Sequence, residues 1–314
     1  MTENVIAVDS ASNGVRFHVW SADTGLSYYD LPDSAGTKPV GLAVGNKKVA
    51  VSLTQDGLVQ VRVYKVPSFN EVSLSQGKRF TGTIDQIAMA GERLYFRDAS
   101  TGIIYIISDF PFMRTESSIP PTFGLIHCVS PEYVVTRPLP GQGLENKLCL
   151  ISADGARYYT DVTDLEQGEQ LLSGACIVDG YLIIQTQDPD GEYRLRQYQI
   201  NFGREFKAEI YPGFPVLEMH GLDSMLYTLN SFTSDGDHTV MRVVGKNVRQ
   251  HLSLFEWSDR ITGVKSYNGI MRVSKGLVVA RITVEGEEPV RVFARGNLEE
   301  IAKMPGLFAR VIEY

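Results

Sequence analysis

Apolar and polar residues alternate along most of this chain in short runs that end at Gly, Asp-Gly or Asn-Gly. Residues 14–32 show the pattern most clearly, because two alternating, aromatic-rich runs flank a turn at residues 22–25. Alternation with period two, bounded by such turns, predicts β-hairpins. Helical spacing is confined to residues 297–304, NLEEIAKM, for which a short helical stretch is expected. The sequence therefore predicts an all-β protein.

The predicted strands recur in units of about 45 residues, each with four short strands, which is the period of a propeller blade. Residues 255–268, FEWSDRITGVKSYN, do not fit this repeat and are predicted to form an insertion. The six complete units are predicted at residues 40–74, 84–117, 123–162, 172–211, 214–254 and 269–304.

The two chain ends complete the pattern. Residues 306–314 predict one strand and residues 1–32 predict three, so together they would form a seventh unit. In it, residues 308–312 would pair with residues 5–8, and this pairing would remove the exposed edges of an open array. The sequence thus predicts a single domain, a seven-bladed β-propeller of four-stranded antiparallel blades, closed by pairing of the N- and C-terminal segments.

One hairpin has features of a known family. Val19-Trp20, followed by Thr24-Gly25, resembles the third strand, turn and fourth strand of a WD-repeat blade. WD-repeat proteins mostly act as scaffolds for other proteins. The resemblance therefore implies a non-enzymatic scaffold for protein–protein interaction, or a structural subunit of a multi-subunit assembly. Trp20 itself is expected to pack between blades.

Charge and composition narrow the range of partners. The chain has 30 basic and 37 acidic residues, giving a net charge of −7, and this disfavours nucleic acid, whose binding depends on Lys and Arg. Its longest apolar runs are far shorter than the roughly 20 residues that span a bilayer, so no membrane partner is expected. Cys128, Cys149 and Cys176 are widely spaced, and we expect small core residues in an intracellular, reducing compartment, cytoplasmic or equivalent.

Motifs for catalysis are absent from the sequence. It contains no Gly-x-Ser-x-Gly, no phosphate-binding loop and no His-Glu-x-x-His, so no catalytic residue, cofactor or metal ligand is predicted. Catalytic groups on a propeller can nevertheless converge from different blades. Two alternatives to a scaffold therefore stay open: a metal-assisted, lactonase-like hydrolase with its site at the channel mouth, and a carbohydrate or small-ligand binding module.

Two histidines are candidates for the central channel. His127 and His220 lie on strands predicted to be innermost in units that are not neighbours. Imidazoles in such a place could bind a metal or transfer protons. The alternative is that each is an ordinary packed or solvated strand residue.

Two segments are candidates for contact with a partner protein. The first is the predicted insertion, because aromatic residues and Arg on a loop are typical of interaction hot spots. The second is the connection at residues 138–146, which is rich in Pro and Gly and should project from the body. The candidate residues are Phe255, Trp257, Asp259 and Arg260 in the first and Leu139, Gln142 and Leu144 in the second.

Overall fold

The computed structural model describes most of the 314-residue chain. Its backbone is described at residues 2–72, 79–108, 113–117, 124–141, 143–144, 147–152, 157–161, 165, 167–200, 206–210, 216–235, 238–249, 255–284, 290–295, 297 and 299–313. Side chains are described in these ranges except at 108, 113–117, 157–161, 173, 206–210, 231–235, 238–246, 255–271 and 282–284. No part of the described chain forms a helix of the length and apolar character needed to cross a membrane.

The described residues form 28 β-strands. In chain order they are β1 (Glu3–Ala11), β2 (Gly14–Ser21), β3 (Gly25–Asp30), β4 (Lys38–Gly45), β5 (Lys48–Gln55), β6 (Leu58–Lys65), β7 (Asn70–Val72), β8 (Phe80–Gly82), β9 (Ile84–Ala90), β10 (Arg93–Asp98), β11 (Ile103–Ser108), β12 (Met113–Ser117), β13 (Leu125–Val129), β14 (Tyr133–Arg137), β15 (Lys147–Ser152), β16 (Arg157–Asp161), β17 (Gln170–Val178), β18 (Tyr181–Gln187), β19 (Tyr193–Gln199), β20 (Phe206–Ile210), β21 (Val216–Leu222), β22 (Met225–Asp235), β23 (His238–Asn247), β24 (Phe255–Val273), β25 (Leu277–Val284), β26 (Val290–Ala294), β27 (Glu300–Met304) and β28 (Phe308–Glu313).

The strands pair into antiparallel sheets arranged around a centre. Blade 1 is β28-β1-β2-β3, blade 2 is β4 to β8, and blades 3, 4 and 5 are β9–β12, β13–β16 and β17–β20. A last sheet runs from β21 to β27, and its long strand β24 is shared by blade 6 and blade 7. The innermost strands touch in the cyclic order β28, β4, β9, β13, β17, β21, β24 and back to β28. A closed ring of such sheets is a β-propeller.

The chain ends close the ring as predicted. β28 pairs antiparallel with β1, in a register that places Val311 opposite Val5 and Phe308 opposite Val8. The backbone groups of β1 are thereby paired on both sides, by β28 and by β2. The pairing of residues 308–312 with residues 5–8 is confirmed.

The hydrophobic core lies between blades rather than on one side of a sheet. On β1, Ile6 and Val8 pack against blade 2, whereas Val5 and Ala7 pack against blade 7. Successive side chains of a strand point to opposite faces, so each blade contributes to two cores at once. Runs such as Lys48–Gln55 are consequently buried over five consecutive residues.

Trp20 lies in one of these cores. It is buried between blade 1 and blade 7, in a cluster with residues that include Leu277, Val292 and Met304. The predicted packing of Trp20 between blades is confirmed.

Two local predictions were wrong. Residues 255–268 are part of the continuous strand β24, whose first half pairs with β23 and whose second half pairs with β25. The turn signal Asn268-Gly269 falls where the register with β25 shifts between Tyr267 and Met271, so it marks a bulge and not a turn. Of the predicted helical stretch, Glu300–Met304 forms strand β27, because pairing with β26 outweighs weak local helix propensity.

Two Asp-Gly pairs form tight hairpin turns as expected. Asp56 and Gly57 have φ of 51° and 80°, and Asp179 and Gly180 have φ of 51° and 77°. Positive φ at both central positions is the type I′ geometry, which matches the twist of the paired strands. These turns set the registers of β5 with β6 and of β17 with β18.

Substitution of Ile312 tests how much the closure of the ring contributes to stability. It is 3% exposed and packs in the core between blades 1 and 2. We expect Ile312→Ala to lower the free energy of unfolding by about 2–5 kcal/mol, since the change leaves a cavity in that core. Urea denaturation followed by tryptophan fluorescence measures the loss.

Glu313→Ala is the matched control on the same strand. Glu313 is half-buried and lies opposite Glu3, so its loss should change the free energy of unfolding by no more than about 0.5 kcal/mol. Equal losses for the two variants would contradict a specific role for the Ile312 contact.

Candidate functional site: the blade 4 pocket and the channel cluster

The innermost strands share a feature that the sequence did not reveal. In β4, β9, β13 and β21, one residue near the start of the strand is skipped in the pairing with the next strand. A bulge of this kind bends a strand and re-aims the side chain of the extra residue. The bulged residues are Val40, Asp85, His127 and Leu217.

His127 is the bulged residue of β13, the innermost strand of blade 4. Its side chain is half-buried, and its Nε2 atom is buried without a hydrogen-bond partner among the described residues. Burial, and then the charge of Arg137, lower the pKa of His127 to about 4. The imidazole is therefore neutral at physiological pH, with Nε2 buried and unpartnered among the described residues.

A side-chain amide holds the strand beside this histidine. Gln86 on β9 donates to the carbonyl of Ile126 at 3.0 Å and accepts from the N–H of Ile126 at 2.8 Å. The amide thus pairs with the Ile126 backbone as a peptide group of a neighbouring strand would, and it links blades 3 and 4. Gln185 can do the same between blades 5 and 6, with both of its bonds to the Val216 backbone at 3.1 Å. Such bonds fix the spacing of neighbouring inner strands.

A pocket opens where β13, β17 and the end of β14 meet. Its volume is about 220 Å³, and we call it the blade 4 pocket. Its walls are apolar apart from one guanidinium. The lining residues are Leu125, Arg137, Pro138, Leu139, Pro140 and Leu171.

Arg137 supplies the charge of the blade 4 pocket. It is the last residue of β14 and is half-buried. No acidic side chain lies within ion-pair distance of it among the residues that the structure describes. By contrast, Arg196 and Glu169, which are both buried, form a bidentate pair at 3.0 and 2.7 Å in blade 5. The pocket therefore presents a cation that has no counter-charge among the described side chains.

A second group of ionisable residues lies on the inner strands of blades 6, 7 and 1. We call Glu218, His220, Arg272 and Arg310 the channel cluster. All four side chains are half-buried. Burial, followed by the charges of Arg272 and Arg310, lowers the pKa of His220 to about 3, although a hydrogen bond to the Val273 backbone acts in the opposite direction. This histidine is also neutral at physiological pH.

The two histidines do not form one site. As predicted, each lies on an innermost strand, but His127 belongs to blade 4 and His220 to blade 6, with blade 5 between them. His127 interacts with Arg137, whereas His220 interacts with Arg272 and Arg310. No group of three or more His, Cys, Asp or Glu side chains suited to a metal ion occurs within the described part of the chain.

The first group of predicted interaction residues lies on a strand. Phe255, Trp257, Asp259 and Arg260 lie on strand β24, where Trp257 pairs with Gly245, and not on a projecting loop. Their side chains lie outside the described residues, so their proposed contact with a partner stays a prediction.

The second predicted segment contains part of the pocket. Leu139 lines the blade 4 pocket and is half-buried. Leu144 is half-buried and packs against the core between blades 3 and 4. Gln142 lies outside the described residues. Sequence reasoning selected this connection for its Pro and Gly content but missed Arg137, which precedes it by one residue and carries the charge.

None of the three cysteines forms a disulfide; Cys149 and Cys176 are buried and Cys128 is half-buried. Cys128 and Cys176 lie on the neighbouring strands β13 and β17. Burial raises the pKa of Cys176 to about 12, and burial together with the nearby Cys176 raises the pKa of Cys128 well above its usual value. Both thiols stay protonated at neutral pH and are weak nucleophiles.

Comparison with known proteins places the fold but not a family. The sequence matches no known protein family and no curated protein. In structure, the chain is similar to a Bacteroides fragilis protein provisionally assigned as a 6-phosphogluconolactonase, with a TM-score of 0.58, 11% identity, and 99% of this chain and 98% of that one covered.

Two further solved structures are similar. A chain of the mitotic checkpoint complex has a TM-score of 0.54 and 11% identity, with 90% of this chain and 86% of that one covered. The WD40 domain of Toxoplasma gondii coronin has a TM-score of 0.53 and 11% identity, with 95% of this chain and 77% of that one covered. The chain has a WD-repeat-like β-propeller fold. At this identity, the likeness concerns the fold alone.

The two histidines make a testable contribution to acid stability. In the unfolded chain each titrates near pH 6.5, whereas the folded state excludes the proton down to about pH 4 for His127 and about pH 3 for His220. Their contribution to stability is therefore fully present above pH 6.5 and is lost as pH falls through this window. We expect the free energy of unfolding to fall less steeply between pH 6.5 and 4 in His127→Gln than in the wild type.

Urea denaturation at a series of pH values measures this slope. Above pH 7 the curves of the two proteins should run parallel, because both carry a neutral side chain at this position. The same slope below pH 6.5 in variant and wild type would mean that His127 takes up its proton in the folded state too.

Proposed function

We propose that this protein is a non-enzymatic scaffold that binds a partner protein at the blade 4 pocket. The observation that carries the proposal is the combination, in one concave site, of apolar walls with a half-buried guanidinium that has no acidic partner among the described residues. Concave apolar sites with a few convergent polar groups are the usual places of ligand binding.

The size of the pocket favours a protein anchor over a free small ligand. Its volume of about 220 Å³ lies below the range of about 300–1,000 Å³ that is typical of small-molecule sites. A cavity of this size suits one apolar side chain of a bound segment. Interfaces commonly gain most of their affinity from a few such anchors in well-packed pockets.

The positive charge of Arg137 indicates which chemical group should lie next to the apolar anchor in the bound partner segment. Arg137 offers a planar fork of N–H donors that fits a carboxylate in a bidentate manner. We therefore infer that the partner presents an apolar anchor residue next to an Asp, a Glu or a C-terminal carboxylate. His127 does not line the pocket, although the charge of Arg137 contributes to the lowering of its pKa.

The pocket wall is stiff before a partner arrives. Pro138 and Pro140 flank Leu139, and proline has a restricted φ. A preformed wall reduces the entropy that is lost when a segment is ordered on it. A chain of similar fold belongs to the mitotic checkpoint complex, so the fold is compatible with work inside a protein assembly, although fold by itself is a weak guide to function.

Substitution of the pocket-lining residues tests the proposal. A partner that co-purifies with the native chain is identified by mass spectrometry, produced separately, and titrated against wild type, Leu139→Asp and Arg137→Gln by calorimetry. We expect each variant to raise the dissociation constant at least about tenfold, because the first places a charge on an apolar wall and the second removes the cation.

Leu58→Asp is the matched control. Leu58 is 52% exposed at the start of β6, far from the pocket in the fold, so this variant should bind like the wild type. Unchanged binding by both pocket variants would overturn the proposed site. Turnover of a lactone substrate by the purified chain would overturn the non-enzymatic assignment and favour the lactonase-like alternative.

A further inference from the structure

The outermost strand of blade 1 is an open sheet edge. β3 ends the sheet β28-β1-β2-β3, and among the strands that the structure describes only β2 pairs with it. Four of its six residues are exposed, including Leu26 at 50% and Tyr28 at 67%. An edge strand of this kind can pair with a strand of another chain.

β3 also lacks the features that usually protect a sheet edge from such pairing. It contains no Lys or Arg, and its register with β2 is regular throughout, without a bulge. The outer strands of blade 2 are only three residues long, and those of blades 3, 4, 5 and 7 each contain a basic residue. These basic residues are Arg114, Arg157, Lys207 and Lys303. Of these edges, β3 is therefore the least protected.

One hydrogen bond shows which backbone groups of β3 point outward. The N–H of Leu31 donates to the carbonyl of Val15 at 2.9 Å, at the ladder position that follows the last residue of β3. In an antiparallel ladder, residues bonded to the partner strand alternate with residues whose N–H and C=O point away from it. Counting back from Leu31, the groups of Leu26, Tyr28 and Asp30 point away from β2. These groups can pair with an additional strand.

The face of β3 toward blade 7 carries the exposed apolar side chains. Leu26 lies opposite Trp20, whose side chain is buried between blades 1 and 7, and opposite residues of a strand pair share a face. The other face of β3 is covered, because Tyr29 stacks on Phe69 of blade 2 with ring centroids 4.9 Å apart. Leu26 and Tyr28 therefore lie side by side on the open face.

Charge at this edge is balanced within the chain. Asp30 is the only charged residue of β3, and it accepts hydrogen bonds from Nε and Nη2 of Arg16 at 2.5 and 3.0 Å. The same guanidinium lies 4.4 Å from the ring centre of Tyr28. Two copies of the chain can therefore meet at β3 without opposing like charges, in spite of the net charge of −7 on each.

We propose that β3 pairs antiparallel with β3 of a second copy of the chain and joins two propellers through one continuous sheet. With Ser27 on the two-fold axis, Leu26 of each copy lies opposite Tyr28 of the other, and these residues carry the outward backbone groups. An aliphatic side chain opposite an aromatic one is a favourable cross-strand pair. Asp30 then lies opposite Thr24, beyond the end of the other copy's strand, so the two carboxylates stay apart.

A second copy suits this edge better than an unstructured segment. It supplies a strand that is already extended and equal in length, so little conformational entropy is lost on pairing. The same surface serves both partners, which makes the contact isologous and limits it to a dimer. The contact lies on blade 1 and does not involve the blade 4 pocket, so each proposal is tested without the other.

Sedimentation equilibrium of the purified chain over a range of concentrations tests the proposal. We expect the average mass of the wild type to rise with concentration from 34.8 kDa toward twice that value. Leu26→Lys should raise the dimer dissociation constant at least about tenfold, because a Lys on an edge strand opposes pairing and the apolar contact with Tyr28 is lost.

Leu58→Lys is the matched control for the same change at the same exposure. Leu58 is 52% exposed, but it lies on β6 of blade 2, which is paired on both sides, so this variant should dimerise like the wild type. A wild type that is monomeric at every concentration, or undiminished dimerisation of Leu26→Lys, would overturn the proposal. Equal weakening by Leu58→Lys would also overturn it, because it would show a response to added charge in general.

Amide hydrogen exchange of the wild type provides a second measurement that needs no variant. The N–H groups of Leu26 and Tyr28 point away from β2, so their exchange should slow as the protein concentration is raised through the dimerisation range. Those of Ser27 and Tyr29 point toward β2 and should be protected at every concentration. Unchanged exchange at Leu26 and Tyr28, while the average mass doubles, would place the contact elsewhere and contradict the proposal.

Discussion

The pairing of β28 with β1 is the interaction on which the rest of the structure depends. Every blade is covered on its faces by its neighbours, so the array has no stable end: a first or last blade would expose an apolar face and an unpaired strand. Joining residues from opposite ends of the chain in one sheet removes both defects at once. The position of every inner strand therefore also depends on closure of the whole ring.

Burial between blades explains why a strand such as β5 is apolar over several consecutive residues. Val49 and Val51 on β5 pack against blade 1 while Ala50, between them, packs against blade 3. The innermost strands differ, because one side of them approaches the centre of the ring and is only partly covered. Half-buried polar side chains such as Gln86, His127 and His220 are tolerated there.

The charges of the buried and half-buried arginines are compensated to very different extents. The buried Arg196 and Glu169 form a complete bidentate pair, which serves the packing between strands of blade 5. Arg137 and Arg310 have no such partner among the described residues. A desolvated arginine without a counter-ion is costly to keep, which is the physical basis of the site proposed at Arg137.

The sequence alone determined the class of fold and its closure. Alternation with period two, Asp-Gly turns and a repeat of about 45 residues are local signals, and each leaves a direct trace in the residues. The count of strands at the two ends was enough to predict their pairing, and the aromatic hairpin around Trp20 predicted its packing. These features depend on neighbours a few residues apart or on simple completion of a repeat.

Only the tertiary structure determined the local geometry of the candidate sites. Asn268-Gly269 has the composition of a turn, yet strand pairing on both sides draws it into β24 as a bulge. The bulge at His127 and the lack of a described acidic partner for Arg137 have no local signal. Each depends on the register between strands, or on which residues of distant blades the closed ring brings together, and that information is spread over the whole chain.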